Sequence, residues 1–126
     1  MSRMEQEIGE APAVVAEQEH VLARPLAELS ERLARMDPRV IVTCARGSSA
    51  HAAAFGKHLF ERYLGIPVAA AAPNIAAVYG QELRLKDQLF LAISQSGMSD
   101  DIVETARAAK LSSAMARKAR PISVRR

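Results

Sequence analysis

The sequence predicts an α/β fold, a three-layer sandwich in which helices cover a parallel sheet. Three observations carry that expectation. Residues 39–45 (RVIVTCA) form a continuous apolar run rich in β-branched side chains, the pattern of a strand buried on both faces. Helix-patterned stretches separate it from two further strand-like runs, 67–72 (PVAAAA) and 89–94 (LFLAIS). The composition, 49% hydrophobic with only 4% aromatic, suits close packing of small aliphatic side chains and argues against both disorder and stacking on nucleic acid bases.

Each element follows from local pattern. From residue 4 to about 36, Met4, Ile8, Val14, Val15, Val21, Leu22, Leu26, Leu29 and Leu33 recur at steps of three and four, so this stretch reads as helical. Pro12 is expected in the first turn of a second helical segment, and Pro25 is expected to kink or split the pattern. Asp37-Pro38 should end it. After the first strand, Gly47-Ser48-Ser49 opens a helix whose apolar stripe reads Ala52, Phe55, Gly56, Leu59, Phe60 and Tyr63, with Gly65 as its stop. Pro73-Asn74 closes the second, weaker strand. Residues 75–85 read as a short helix or turn around Tyr79. The third strand leads into a helix over 100–110, with Ile102, Val103, Ala106 and Ala109 on one side. Beyond Lys110 only 122–124 (ISV) has strand character, so the sheet reads as incomplete at its C-terminal end. Three strands are few for a doubly wound sheet, whose edges need covering. The organisation expected is a helical segment over 1–38 packing on the domain, a partial α/β domain over 39–110, and a basic tail over 111–126.

Charge narrows the partners. The formal net charge is +3, but five of the seventeen Lys and Arg lie in residues 117–126, which hold no acid, so the rest of the chain is slightly acidic. A nucleic-acid reading would rest on that tail alone, and no such partner is expected. Cys44 is the only cysteine, which rules out an intrachain disulfide and fits a reducing compartment. No apolar run approaches the length of a membrane span, and the acidic N-terminal stretch MSRMEQEIGEAP is unlike a signal peptide. A cytoplasmic protein is expected.

Two loops carry the chemistry. Ala45-Arg46-Gly47-Ser48-Ser49 and Ser94-Gln95-Ser96-Gly97-Met98-Ser99 each follow a buried strand, hold glycine and serines, and open a helix. In open parallel sheets ligands sit beyond the carboxyl ends of the strands, where the winding reverses. A strand order 2-1-3 would bring both loops to one crevice. Helix N-termini offer N–H groups and a partial positive charge, and serine hydroxyls can donate to phosphate oxygens or exchange hydrogen bonds with sugar hydroxyls. The same residues also have the makings of ordinary helix caps and turns: Ser49 and Ser99 as N-caps, Gly47 and Gly97 as turn glycines. Asp100 and Asp101 suit a helix dipole but would repel a phosphate, so both are expected to face outward. His51, His20 and His58 share no metal-ligand spacing and Cys44 lies mid-strand, so no metal is expected, and no cofactor. GxGxxG, GxxxxGK[ST] and GxSxG motifs are absent.

At these residues the sequence resembles the SIS (sugar isomerase) domain family, whose fold is a flavodoxin-like parallel sheet between helices. The likeness is to the first SIS domain of the isomerase part of glucosamine-6-phosphate synthase (glutamine-fructose-6-phosphate aminotransferase) and of the stand-alone glucosamine-6-phosphate deaminases. It spans residues 4 to about 110, through Met4-x-x-Glu7-Ile8-x-Glu10-x-Pro12, TCARGSSAHAA, LGIPVAAAAP, Val78-Tyr79-Gly80 and LAISQSGMSDDIVETARAAK. The resemblance implies that Gly47, Ser48 and Ser49 bind the substrate and that Ser94, Gln95, Ser96 and Ser99 form a phosphate cradle. Where the synthases carry Cys-Gly-Thr-Ser, this chain has Arg46-Gly47-Ser48-Ser49, the form of the deaminase branch.

The catalytic glutamate, ring-opening histidine and C-terminal lysine of these enzymes belong to a second SIS domain outside this sequence, so no catalytic residue is assigned. The basic tail reads as a truncated or frameshifted continuation. The resemblance implies a domain that binds a sugar phosphate of the glucosamine 6-phosphate or fructose 6-phosphate class, as a homodimer, with little or no catalysis by itself. Two other readings remain open: a single-SIS phosphosugar isomerase acting as an oligomer, and a non-catalytic sugar-phosphate sensor.

Overall fold

The computed structural model describes residues 2–116, so the strand-like run at 122–124 and the basic residues 117–126 lie outside the described residues. The chain divides into two compact units between Met36 and Asp37.

The first unit is one helix, α1 (Arg3–Met36). Its start is a reciprocal cap: the Glu5 backbone N–H donates to Ser2 Oγ at 3.3 Å, and the Ser2 N–H donates to Glu5 Oε2 at 2.6 Å. The Ser2 backbone N–H first, and then its hydroxyl, hold the Glu5 carboxyl below its ordinary range. The expected break does not occur, because Pro12 and Pro25 both lie within the continuous helix. Each proline forfeits one hydrogen bond, to the carbonyls of Ile8 and Val21. Both residues are exposed, so water can satisfy the freed oxygens. Ion pairs one turn apart, Arg3–Glu7 at 3.1 Å and Arg24–Glu28 at 2.9 Å, add a little support along the surface. Asp37, with φ 47°, turns the chain out of the helix where Asp37-Pro38 was expected to stop it.

The second unit is the α/β body: β1 (Ile41–Ala45), α2 (Ser48–Leu64), β2 (Val68–Ala70), α3 (Asn74–Tyr79), β3 (Leu89–Ile93) and α4 (Asp100–Ala116). The sheet is parallel throughout in the order β2-β1-β3. β1 is therefore central, and this explains its continuous apolar run: four of its five residues are buried. Its side chains alternate between the two faces. Thr43 and Ala45 line a cavity of about 170 Å³ with Ala50, Ala53 and Lys57 of α2. Val42 packs on the other face with Leu85 and with Ala109 of α4. Helices on both faces of a parallel sheet make the three-layer α/β arrangement.

Two details differ from the sequence pattern. The expected stripe of α2 is rotated: Ala53 is buried, whereas Phe55 and Tyr63 are 65% and 71% exposed. Gly56, Leu59 and Phe60 of the expected stripe are half-buried beside Ala53, while Ala52, Phe55 and Tyr63 face solvent. α4 also continues past Lys110 to Ala116.

The outer edge of β2 is guarded by a charged pair. Lys57 Nζ donates to the Val68 carbonyl at 3.2 Å, and the Val68 N–H donates to Glu61 Oε1, also at 3.2 Å, while Lys57 and Glu61 pair with each other. Covering an edge strand's free amide and carbonyl in this way discourages pairing with another chain. Hydrogen bonds from Lys57 and Val68 hold the Glu61 carboxyl below its ordinary range.

Candidate sugar-phosphate site

Register places the two serine-rich loops side by side. Ala45 and Ile93, the last residues of β1 and β3, are direct partners across the sheet, so both loops leave it at the same level. The first loop turns sharply at Gly47, whose φ of 56° and ψ of −134° belong to a region that side-chain-bearing residues avoid. α2 starts at once with Ser48, and the Ala50 N–H donates to the Gly47 carbonyl at 3.1 Å.

The second loop is held by its own serines. The Gly97 N–H donates to Ser94 Oγ at 3.1 Å, and the Met98 N–H donates to Ser96 Oγ at 3.2 Å. Gly97 makes the turn with φ 66°. The Ser99 carbonyl then accepts the Val103 N–H at 2.9 Å, which starts α4. Because both serine oxygens already accept a backbone bond, their hydroxyl protons are free to donate elsewhere. That arrangement favours an anion as the outside partner.

The loops flank an open cavity of about 400 Å³. Gly47, Ser48 and Ser49 line it from one side, and Ser94, Gln95, Ser96 and Ser99 from the other, so all seven sequence-nominated residues meet at one place. Arg46, Ile93 and Ile102 complete the lining. None of these three was nominated, although Arg46 stands inside a loop the sequence singles out. No aspartate, glutamate, histidine or lysine lines the cavity among the described residues. His51 is exposed on α2 and is not part of the lining. Among the described residues no group of three or more His, Cys, Asp or Glu is placed to hold a metal ion.

One expectation is corrected here. Asp101 does not face outward with Asp100: its carboxylate Oδ2 accepts from Arg46 Nη1 at 2.5 Å, tying the head of α4 to the first loop. Its Oδ1 lies 2.9 Å from the Ile102 N–H, and the side chain is only 21% exposed. The cause is the adjacency of β1 and β3, which puts a cation from one loop beside the first turn of the other helix.

Behind this contact Cys44 is 1% exposed. Burial first, and then the Asp101 charge, push its thiol up, while a hydrogen bond with Thr105 opposes them in part. Cys44 therefore stays protonated and acts as a small buried apolar group. The buried Thr105 hydroxyl lies 2.8 Å from the Pro73 carbonyl and 2.6 Å from the Asp101 carbonyl, anchoring the start of α4.

Comparison with known proteins agrees with this fold. The SIS domain family matches residues 36–124. The chain belongs to the SIS domain family. The SIS chain is 39% identical over 83 residues to the isomerizing glutamine–fructose-6-phosphate aminotransferase of Campylobacter jejuni, covering 64% of this chain and 13% of that protein. It is 30% identical over 107 residues to the aminotransferase of the same name from Pyrococcus horikoshii, covering 85% of this chain and 18% of that one. A solved structure from Silicibacter pomeroyi, assigned as a phosphosugar isomerase, superposes on this SIS fold with a TM-score of 0.81 at 40% identity, over 89% of this chain and 34% of that one. The chain thus spans about a third of that structure and less than a fifth of the curated relatives.

Proposed function

We propose that this SIS domain binds an amino-sugar phosphate or related hexose phosphate in the cavity between its two loops. The observation that carries the reading is the second loop. Ser94 and Ser96 accept backbone N–H groups and each keeps a hydroxyl proton to donate, beside the N-terminal end of α4. Gln95 and Ser99 extend the set of neutral donors, and among the described residues no carboxylate lines the cavity to repel a dianion. Ser48 and Ser49, across the cavity, suit the sugar's hydroxyls, with Gly47 letting the backbone come close. The likeness to aminotransferases and to a phosphosugar isomerase supports the same substrate class.

In this reading residues 39–110 hold and orient the sugar phosphate. Acid–base groups for proton transfer between C1 and C2 would come from elsewhere, because the lining offers none among the described residues. A homodimer fits the exposed Phe55 and Tyr63 on α2, which a second copy would cover. The unpaired Cys44 suits the reducing cytoplasm. No helix among the described residues is long and apolar enough to cross a membrane.

Calorimetric titration of the full chain with glucosamine 6-phosphate and with unphosphorylated glucosamine tests the reading. The phosphate is expected to bind saturably and the free sugar far more weakly. Ser96→Ala should weaken the phosphate by roughly tenfold or more, the loss of one hydrogen bond to a charged group at about 1.5–3 kcal/mol. Equal binding of the two sugars, or none of either, would contradict it.

A further inference from the structure

Arg46, the one charged residue in the cavity lining among the described residues, is already paired: its Nη1 donates to Asp101 Oδ2. We propose that Arg46 and Asp101 form a charge-cancelling latch, in which Arg46 serves to mask Asp101 and join the two loops, and does not itself bind the ligand's phosphate. This rests on the sugar-phosphate reading above and names what makes that site tolerant of an anion.

The chain of reasons is electrostatic. Asp101 sits in the first turn of α4, beside Ile102 and two residues after Ser99, both of which line the cavity. A bare carboxylate there would repel a dianion held by Ser94, Ser96 and Ser99. The carboxylate is also anchored, since Oδ1 meets the Ile102 N–H at 2.9 Å and the side chain is mostly shielded, so it cannot swing out to water without losing that bond. Arg46, 66% exposed, reaches across from the first loop and pairs with Oδ2. The net local charge is then zero, leaving the hydroxyls, the amides and the end of the helix as the attractive groups. The same bond ties the first loop to the head of α4. Arg46 and Asp101 are therefore positioning residues.

The test is a double-mutant cycle on the full chain, with glucosamine 6-phosphate titrated calorimetrically and thermal unfolding recorded for each variant. Arg46→Gln exposes the carboxylate and is expected to weaken binding ~10-fold, the effect of one unscreened like charge a few ångströms from a dianion. Asp101→Asn should bind at least as tightly as the native chain. Arg46→Gln combined with Asp101→Asn should return to within about threefold of native affinity, since neither charge remains. Arg46→Lys should keep most of the binding, because a point charge masks as well as a fork. A merely structural salt bridge would shift the unfolding temperature in the single and double variants alike, without restoring affinity in the double. If the double variant stays as weak as Arg46→Gln, Arg46 contacts the phosphate directly and the latch is wrong. Unchanged affinity in Arg46→Gln overturns it too. A native chain that binds no sugar phosphate overturns the site reading itself, and the latch with it.

Discussion

Replacing Ile41 with alanine is expected to destabilise the α/β body by about 2–5 kcal/mol, the usual cost of emptying a fully buried aliphatic position. Ile41 is 1% exposed and is one of the two largest side chains that are fully buried. It opens the central strand, where its register partners are Val68 on one side and Leu89 on the other. With strands on both flanks and helices over both faces, little can move in to fill the space. A loss of that size is a large share of the roughly 5–15 kcal/mol that keeps an ordinary domain folded. Ile41→Val removes one methylene and should cost only about 0.5–1.5 kcal/mol. Urea denaturation of the two variants followed by circular dichroism measures both. An alanine variant as stable as the valine one would mean that β1 is not the centre of the core.

The second large effect concerns the loop that follows the same strand. Gly47→Ala is expected to cost about 1–3 kcal/mol in stability, because a Cβ is strained at its backbone angles. The cost is conformational and not steric, since no atom lies within 4 Å of the place a Cβ would occupy. Relief of that strain would shift the turn that carries Ser48 and Ser49, so affinity for glucosamine 6-phosphate should fall together with stability. Gly65, with φ 66° and equally open space, is the control: it ends α2 far from the cavity lining. Gly65→Ala should therefore lower stability and spare affinity. Equal loss of affinity in both variants would show that the Gly47 turn has no special part in the site.

Much of this arrangement was legible in the residues. The β-branched run of β1, the helix-opening Gly-Ser-Ser and the serines after β3 are local signals; they foretold a parallel sheet, with both loops at one crevice if the strand order were 2-1-3, which is the order observed. What escaped the sequence depends on distance in space. Arg46 and Asp101 are 55 residues apart, and only the pairing of β1 with β3 brings them into contact. The rotated face of α2 escaped for a related reason. Periodicity marks Phe55 and Tyr63 as apolar, but the choice of buried face is made by the sheet, which accepts Ala53. Pro12 and Pro25 misled because exposed carbonyls tolerate a missing hydrogen bond that a buried helix would not.

The central claim is that a sugar phosphate is held between these two loops, and amide chemical shifts report it most directly. Adding glucosamine 6-phosphate to the isotope-labelled chain should move the backbone resonances of residues 47–49 and 94–99 most. The amides around the smaller cavity behind α2, at Thr43, Ala54, Lys57 and Ala70, should stay in place. Largest shifts at those four residues, or none at the two loops under saturating ligand, would contradict the account.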